Sequence, residues 1–139
     1  MPVILLLLLT SQLYALTDRE IIASTISMEA RGEGDLGMLA VADVIVVRGN
    51  LNHQTAVQVC LAPHQFSCWL APVPIDRLSK ESESWAECLS LADAILNHVP
   101  IKNVTGSATH YCTASVSPSW ADPTKITARI GHHVFYRLS

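Results

Sequence analysis

The sequence predicts an α+β domain that is mainly helical, with a small β-hairpin region at its C-terminal end. Three observations point there. Between residues 17 and 99 apolar residues recur at spacings of three and four, as in helices that bury one face. After Pro100 the texture changes to Thr, Ser, Val and Tyr mixed with turn residues, which suits short strands. A chain of 139 residues, 50% of them hydrophobic and 15% charged, is long enough for one packed core and too short for two.

The opening MPVILLLLLTSQLYA carries an apolar run over residues 3–9, then polar Thr10, Ser11 and Gln12 and the small residue Ala15. Such a run is well below the roughly 20 residues needed to span a bilayer and matches the apolar stretch of a secretory signal. Residues 1–15 are therefore expected to be a signal peptide, with a retained membrane anchor as the alternative. Residues 16–139 then form the domain, exported to the periplasm or the cell exterior.

The domain begins with Thr17-Asp18-Arg19-Glu20, the T-x-x-E form in which threonine and glutamate cap a helix reciprocally. In that helix Ile22, Ile26, Glu29 and Ala30 share the inward stripe, and Gly32 and Gly34 break it. A second helix over residues 36 to about 47 is apolar nearly all round, which makes it a buried central element, with Gly49-Asn50 as its end. Asp43 within it reads as an exposed or hydrogen-bonded edge. Residues 55–61 suggest a short helix ended by Pro63, and residues 62–79 a proline-rich loop. Trp85, Cys88, Leu89, Ala92, Ile95, Leu96 and Val99 then mark a third long helix with Pro100 as its stop. "ITARI" and "HVFYR" flank Gly131-His132 as a hairpin.

The net charge of −3 and pI near 6.0 leave no basic surface for phosphate, so nucleic acid is excluded as a partner. Export gives the four cysteines, Cys60, Cys68, Cys88 and Cys112, a setting in which they can pair. Two bridges have three possible connectivities, and buried free thiols are the alternative.

Glu29 stands out because a carboxylate on a core stripe loses hydration, and near a helix C-terminus it meets the negative end of the macrodipole. Both effects favour its protonated form, which suits a general acid that protonates the leaving oxygen of a glycosidic bond. The competing reading ties this carboxylate to Arg31 or to backbone amides. Glu33 follows one helical turn later and is a possible second carboxylate of a glycosidase pair, or else a loop-stabilising or solvated group.

These residues resemble the SleB-type, spore-cortex-lytic cell-wall hydrolases. The resemblance runs through "MEARGE" (28–33), "GMLAVADVIVVR" (37–48), "QFSCW" (65–69), Trp85 and Cys88, "TGSATHY" (105–111), "VSPSWA" (116–121) and "IGHHVFY" (130–136), in the family's order. It implies a lysozyme-like α+β fold that cleaves peptidoglycan between N-acetylmuramic acid and N-acetylglucosamine, with Glu29 as the catalytic acid. It further implies a lytic transglycosylase, in which the muramic acid's own C6 hydroxyl attacks and one carboxylate is enough. Hydrolytic muramidase action is the close alternative, and a non-catalytic peptidoglycan-binding protein is the alternative of another class.

Two departures from the family pattern are Val47-Arg48 in place of Asn-Arg, and Cys112 in place of a His after His110-Tyr111. Because Cys68 and Cys88 lie in family-like motifs, the resemblance pairs those two first and leaves Cys60 with Cys112 as a second bridge. Aromatic rings outside the long helices, Phe66, Trp69, Tyr111 and Trp120, are candidates to stack on sugar rings. Gln65, Ser67, Thr109, His110 and His133 are candidates to bond their polar groups. His110-Tyr111-Cys112 with His132-His133 matches no zinc-ligand spacing, so no metal or other cofactor is expected. The enzyme is expected to act as a monomer on glycan strands, touching a membrane only through an uncleaved leader.

Overall fold

The computed structural model describes residues 16–62, residue 66 and residues 83–138. The expected leader, the proline-rich loop and, within it, Gln65, Ser67, Cys68 and Trp69 lie outside the described residues.

Helix α1 (Asp18–Glu29) begins at the expected cap: the Glu20 N–H donates to Thr17 Oγ1 at 3.2 Å, and Glu20 Oε1 accepts from the Thr17 N–H at 3.3 Å. Its inward stripe is as read, with Ile22 and Ile26 closed to solvent, Ala30 buried and Glu29 half-buried at the last turn. Helix α2 (Gly34–Asn52) is longer than expected and passes straight through Gly49-Asn50. Gly49 serves close approach rather than termination, because a Cβ there would stand 2.9 Å from the Gln54 carbonyl oxygen. The helix ends at His53, whose φ of 53° turns the chain. Helix α3 (Ala56–Leu61) carries a second reciprocal cap, Thr55 with Gln58.

Helix α4 (Glu83–Leu96) stops short of Pro100. The chain reverses at His98, with φ 54°, and the Val99 N–H closes the end on the Ala94 carbonyl at 2.8 Å. Such a left-handed closure satisfies the last carbonyls before the proline is reached. Near the start of α1, Arg19 makes a two-pronged ion pair with Asp93 of α4, Nε to Oδ1 at 2.7 Å and Nη2 to Oδ2 at 3.0 Å.

Beyond the helices, β1 (His110–Thr113), β2 (Ile126–Ile130) and β3 (His133–Tyr136) form an antiparallel sheet in the order β1-β3-β2. The expected hairpin is β2-β3, while β1 adds a strand by pairing Tyr111 with Phe135. The sheet and the helices are joined by α2, which is buried on two sides. Met38, Val41, Ala42 and Ile45 face α1, α3 and α4, whereas Ala40 and Val44 pack with Ala108, Ile130 and Phe135. Asp43, 4% exposed, is the hydrogen-bonded alternative of its two readings. It accepts from the Thr105 N–H at 3.1 Å and the Thr105 hydroxyl at 2.7 Å, which fastens the approach to β1 onto α2.

The disulfide expectations are corrected by the structure, in which Cys60, Cys88 and Cys112 are free thiols. Neither Cys68–Cys88 nor Cys60–Cys112 is present. Cys88 lies on the core face of α4 with Sγ 3.4 Å from Met38 Sδ, packed as a small apolar side chain. Burial pushes the Cys60 and Cys88 thiols up to about 11.

Candidate active site

The last turn of α1 delivers Glu29 to the inner face of the sheet. There the Tyr111 hydroxyl, from β1, donates to Glu29 Oε2 at 2.8 Å. Strand alternation puts Tyr111, His133 and Phe135 on this face. The Tyr111 ring lies 5.0 Å from His133 and 5.4 Å from Phe135, centroid to centroid. Half-buried His133 has a buried Nδ1 with no hydrogen-bond partner. The tethered reading of Glu29 is not what forms: Arg31 is exposed and makes no ion pair with it, and its one hydrogen-bond donor among the described residues is Tyr111.

Glu33 goes elsewhere. Its carboxylate accepts from the His132 backbone N–H at 2.9 Å and meets His132 Nδ1 at 3.1 Å, clamping the β2-β3 turn to the start of α2. The carboxylate is 7% exposed and the imidazole 82%, so the backbone amide is the firmer half of this contact. Gly131 makes the clamp possible: its φ is +57°, and a Cβ built there would collide with Glu33 Oε2. Of its expected roles, Glu33 therefore takes the loop-stabilising one.

The His132 amide bond holds the Glu33 carboxyl below the usual carboxylate range, helped by the nearby imidazoles of His132 and His133 and opposed by burial. A depressed folded value adds stability above the unfolded value, and that stability is lost as pH falls through the folded one. The melting temperature of Glu33→Gln should therefore trail wild type most near neutrality. The gap should close as the pH drops below about 4, the ordinary carboxylate value. A gap independent of pH would show that the charge of Glu33 is not what holds the turn.

Several residues expected to bind sugar are placed differently. Phe66 is 2% exposed beneath the Arg48 guanidinium, whose carbon sits 5.2 Å from the ring centroid, so it offers no stacking face. Thr109 is 4% exposed, and its hydroxyl is occupied by the Leu138 N–H at 3.0 Å and His110 Nδ1 at 2.9 Å. His110 points to the outer face of β1, opposite Tyr111. There it meets Trp120 at 5.1 Å, and Trp120 packs edge-on against Tyr136 at 5.4 Å. Trp120 and His110 thus form a separate half-exposed cluster across the sheet from Glu29.

One residue of the site escaped the sequence reading. Arg48, near the C-terminal end of α2, points inward, and its Nε–H donates to the Thr109 carbonyl at 2.6 Å. Burial pushes its guanidinium below its ordinary value, against the attraction of Tyr111, Glu29 and Cys60. A cation ending an apolar helix normally reads as a solvent-facing tip. Its motif neighbourhood was the one available signal.

A model of a protein family described as Cell Wall Hydrolase matches residues 32–136. The fold is similar to the catalytic domain of the germination-specific lytic transglycosylase SleB from Bacillus anthracis, with a TM-score of 0.64 and 25% identity over 86% of this chain and 93% of that one. It is also similar to the catalytic domain of the Bacillus cereus SleB protein, with a TM-score of 0.61 and 25% identity over 86% of this chain and 89% of that one. No curated protein matches the chain. The family match begins at Gly32, so Glu29 stands just upstream of it, while Glu33, Arg48, Tyr111 and His133 fall inside.

Proposed function

As a member of the cell wall hydrolase family this chain is an enzyme that cleaves peptidoglycan, and we propose that it does so as a lytic transglycosylase with Glu29 as its proton donor. The observation that carries this reading is the division of labour between two nearby carboxylates. Glu33 is committed to the His132 turn, whereas Glu29 is half-buried beneath Tyr111 with one hydrogen bond among the described residues. Of these two carboxylates, that leaves Glu29 for chemistry. An inverting hydrolase needs a second carboxylate to activate water, and a retaining one needs it as nucleophile.

A substrate-borne nucleophile removes that need. Glu29 gives its proton to the glycosidic oxygen as the bond from C1 of N-acetylmuramic acid to that oxygen breaks. The C6 hydroxyl of the same sugar forms the new bond to C1, and its proton returns to Glu29. No water is consumed, and the nucleophile enters at the high effective concentration of an intramolecular group. Tyr111 steadies the carboxylate that the proton transfer leaves on Glu29, since a donor bonds the ionised form more strongly.

Digestion of purified sacculi followed by mass spectrometry of the released muropeptides tests this. The expected products end in 1,6-anhydromuramic acid, one water lighter than hydrolysis products. Reducing ends instead would make the enzyme a hydrolytic muramidase. Binding without any release would make the protein a glycan-holding one rather than an enzyme.

A further inference from the structure

We propose that Trp120 and His110, on the outer face of the sheet, form a second glycan contact that takes sugars of the bound strand beyond the bond being cut. The proposal rests on Glu29 marking where that bond lies. Trp120 is held firmly in place. Its ring stands edge-on to buried Tyr136 at 5.4 Å and tilted against His110 at 5.1 Å. Its backbone is pinned on both sides, by the Ala121 N–H on the Pro118 carbonyl at 3.0 Å and the Asp122 N–H on the Trp120 carbonyl at 2.9 Å. Asp122 in turn accepts from the Thr124 N–H at 2.9 Å and the Thr124 hydroxyl at 2.7 Å. A ring fixed in this way has little freedom left to lose when a ligand covers it, so contact area converts to affinity at low entropic cost.

The cluster is unfinished on its solvent side. Trp120 and His110 stay partly exposed, although Tyr136 beneath them is sealed. The Trp120 indole N–H and His110 Nε2 have no hydrogen-bond partner among the described residues, and neither is a buried atom. The bonded nitrogen of His110 is Nδ1, on the Thr109 hydroxyl at 2.9 Å. Two rigid rings with free polar edges match the two chemistries of a pyranose. Its C–H face packs on an aromatic ring, and its hydroxyl and N-acetyl groups bond ring nitrogens.

Strand β1 links this cluster to Glu29. Tyr111, which bonds Glu29, and His110 are successive residues on opposite faces of β1. The strand order β1-β3-β2 makes β1 an edge, with no strand on its other side among the described residues. A small ligand at Glu29 would stay on one face, whereas a polymer lying across that edge meets both. Peptidoglycan, the substrate of this enzyme, is such a polymer. A second contact on the same strand is an intramolecular event, so it raises the affinity for long glycans far more than for short ones.

The test uses Glu29→Gln protein, which is expected to hold glycan without cutting it, and compares its affinity for peptide-free glycan strands with that for their repeating disaccharide. A disaccharide engages one place at a time, so the strands should bind more tightly. Trp120→Ala should shrink that advantage by at least about tenfold. Trp120→Phe, which keeps a ring on Tyr136, should retain most of it. A role in packing alone would weaken both ligands alike or neither, so an unchanged ratio in folded Trp120→Ala overturns the proposal. Should the alanine variant not fold, protection decides. Bound strands should slow the oxidation of Trp120 by N-bromosuccinimide, read by peptide mass spectrometry, and unslowed oxidation would refute the contact. Cleavage by Glu29→Gln would instead sink the assignment of Glu29. An unchanged ratio in protein that does not cleave sinks only the second contact.

Discussion

Glu29→Gln should lose about 10²–10⁴-fold in the rate of glycan release, the usual loss when a positioned acid is removed. Its melting temperature should stay near that of wild type. The amide preserves the shape of the side chain at the end of α1, and its oxygen can still accept from Tyr111. What it cannot do is deliver a proton. Binding to sacculi should therefore survive, separating a dead catalyst from a misfolded one. Glu33→Gln is the necessary companion, because its carboxylate serves the His132 turn and its replacement should cost activity only mildly. Equal losses in the two variants would restore a paired-carboxylate mechanism. More than about a tenth of wild-type rate in Glu29→Gln would move the proton donor to another residue.

Phe135→Ala should be the most damaging single change to stability. Phe135 has no exposed surface and is the largest fully buried side chain among the described residues, central to the cluster through which the sheet packs on Ala40 and Val44 of α2. Deleting a buried phenyl ring costs about 3–5 kcal/mol, since the transfer energy is lost and a cavity remains. Against a typical domain stability of roughly 5–15 kcal/mol this leaves little margin. A fall of roughly 10–17 °C in melting temperature is expected for a chain of this size. Because Tyr111 lies 5.4 Å and His133 6.2 Å from the same ring, activity should drop even below the melting transition. Phe135→Leu, which refills much of the volume, should be far milder. A loss under about 1 kcal/mol in the alanine variant would mean that the sheet does not depend on this contact.

The parts of the fold legible in the sequence are those governed by neighbours along the chain. The Thr17–Glu20 cap and the short helix after Thr55 are both in place, and the spacing of Ile22, Ile26 and Glu29 located the inward carboxylate. Strand β1 was not legible. Four residues carry little alternation, and its partner, Phe135 for Tyr111, is remote in sequence. Gly49 misled because a glycine needed for close approach looks like one that ends a helix. Phe66 and Thr109 misled in the opposite way: aromatic and polar residues outside helices read as sugar-binding, yet both are sealed by long-range contacts, Phe66 with Arg48 and Thr109 with Arg48 and Leu138. The same remoteness hid Arg48, whose partners are Thr109, just before β1, and Phe66.

The clamp at the β2-β3 turn also bears on how this sequence can drift. Glu33 and Gly131 share one small volume, for the carboxylate occupies the place that any side chain at 131 would need. The two positions are therefore epistatic. A survey of single substitutions would score Gly131 as intolerant for two separable reasons, its left-handed backbone and its occupied neighbour space, and only the second is relieved by shortening residue 33. Shortening residue 33 would in turn surrender the amide anchor that fixes the strand carrying His133. Variation is thus confined to paired changes, and the turn is held by mutual exclusion as much as by attraction.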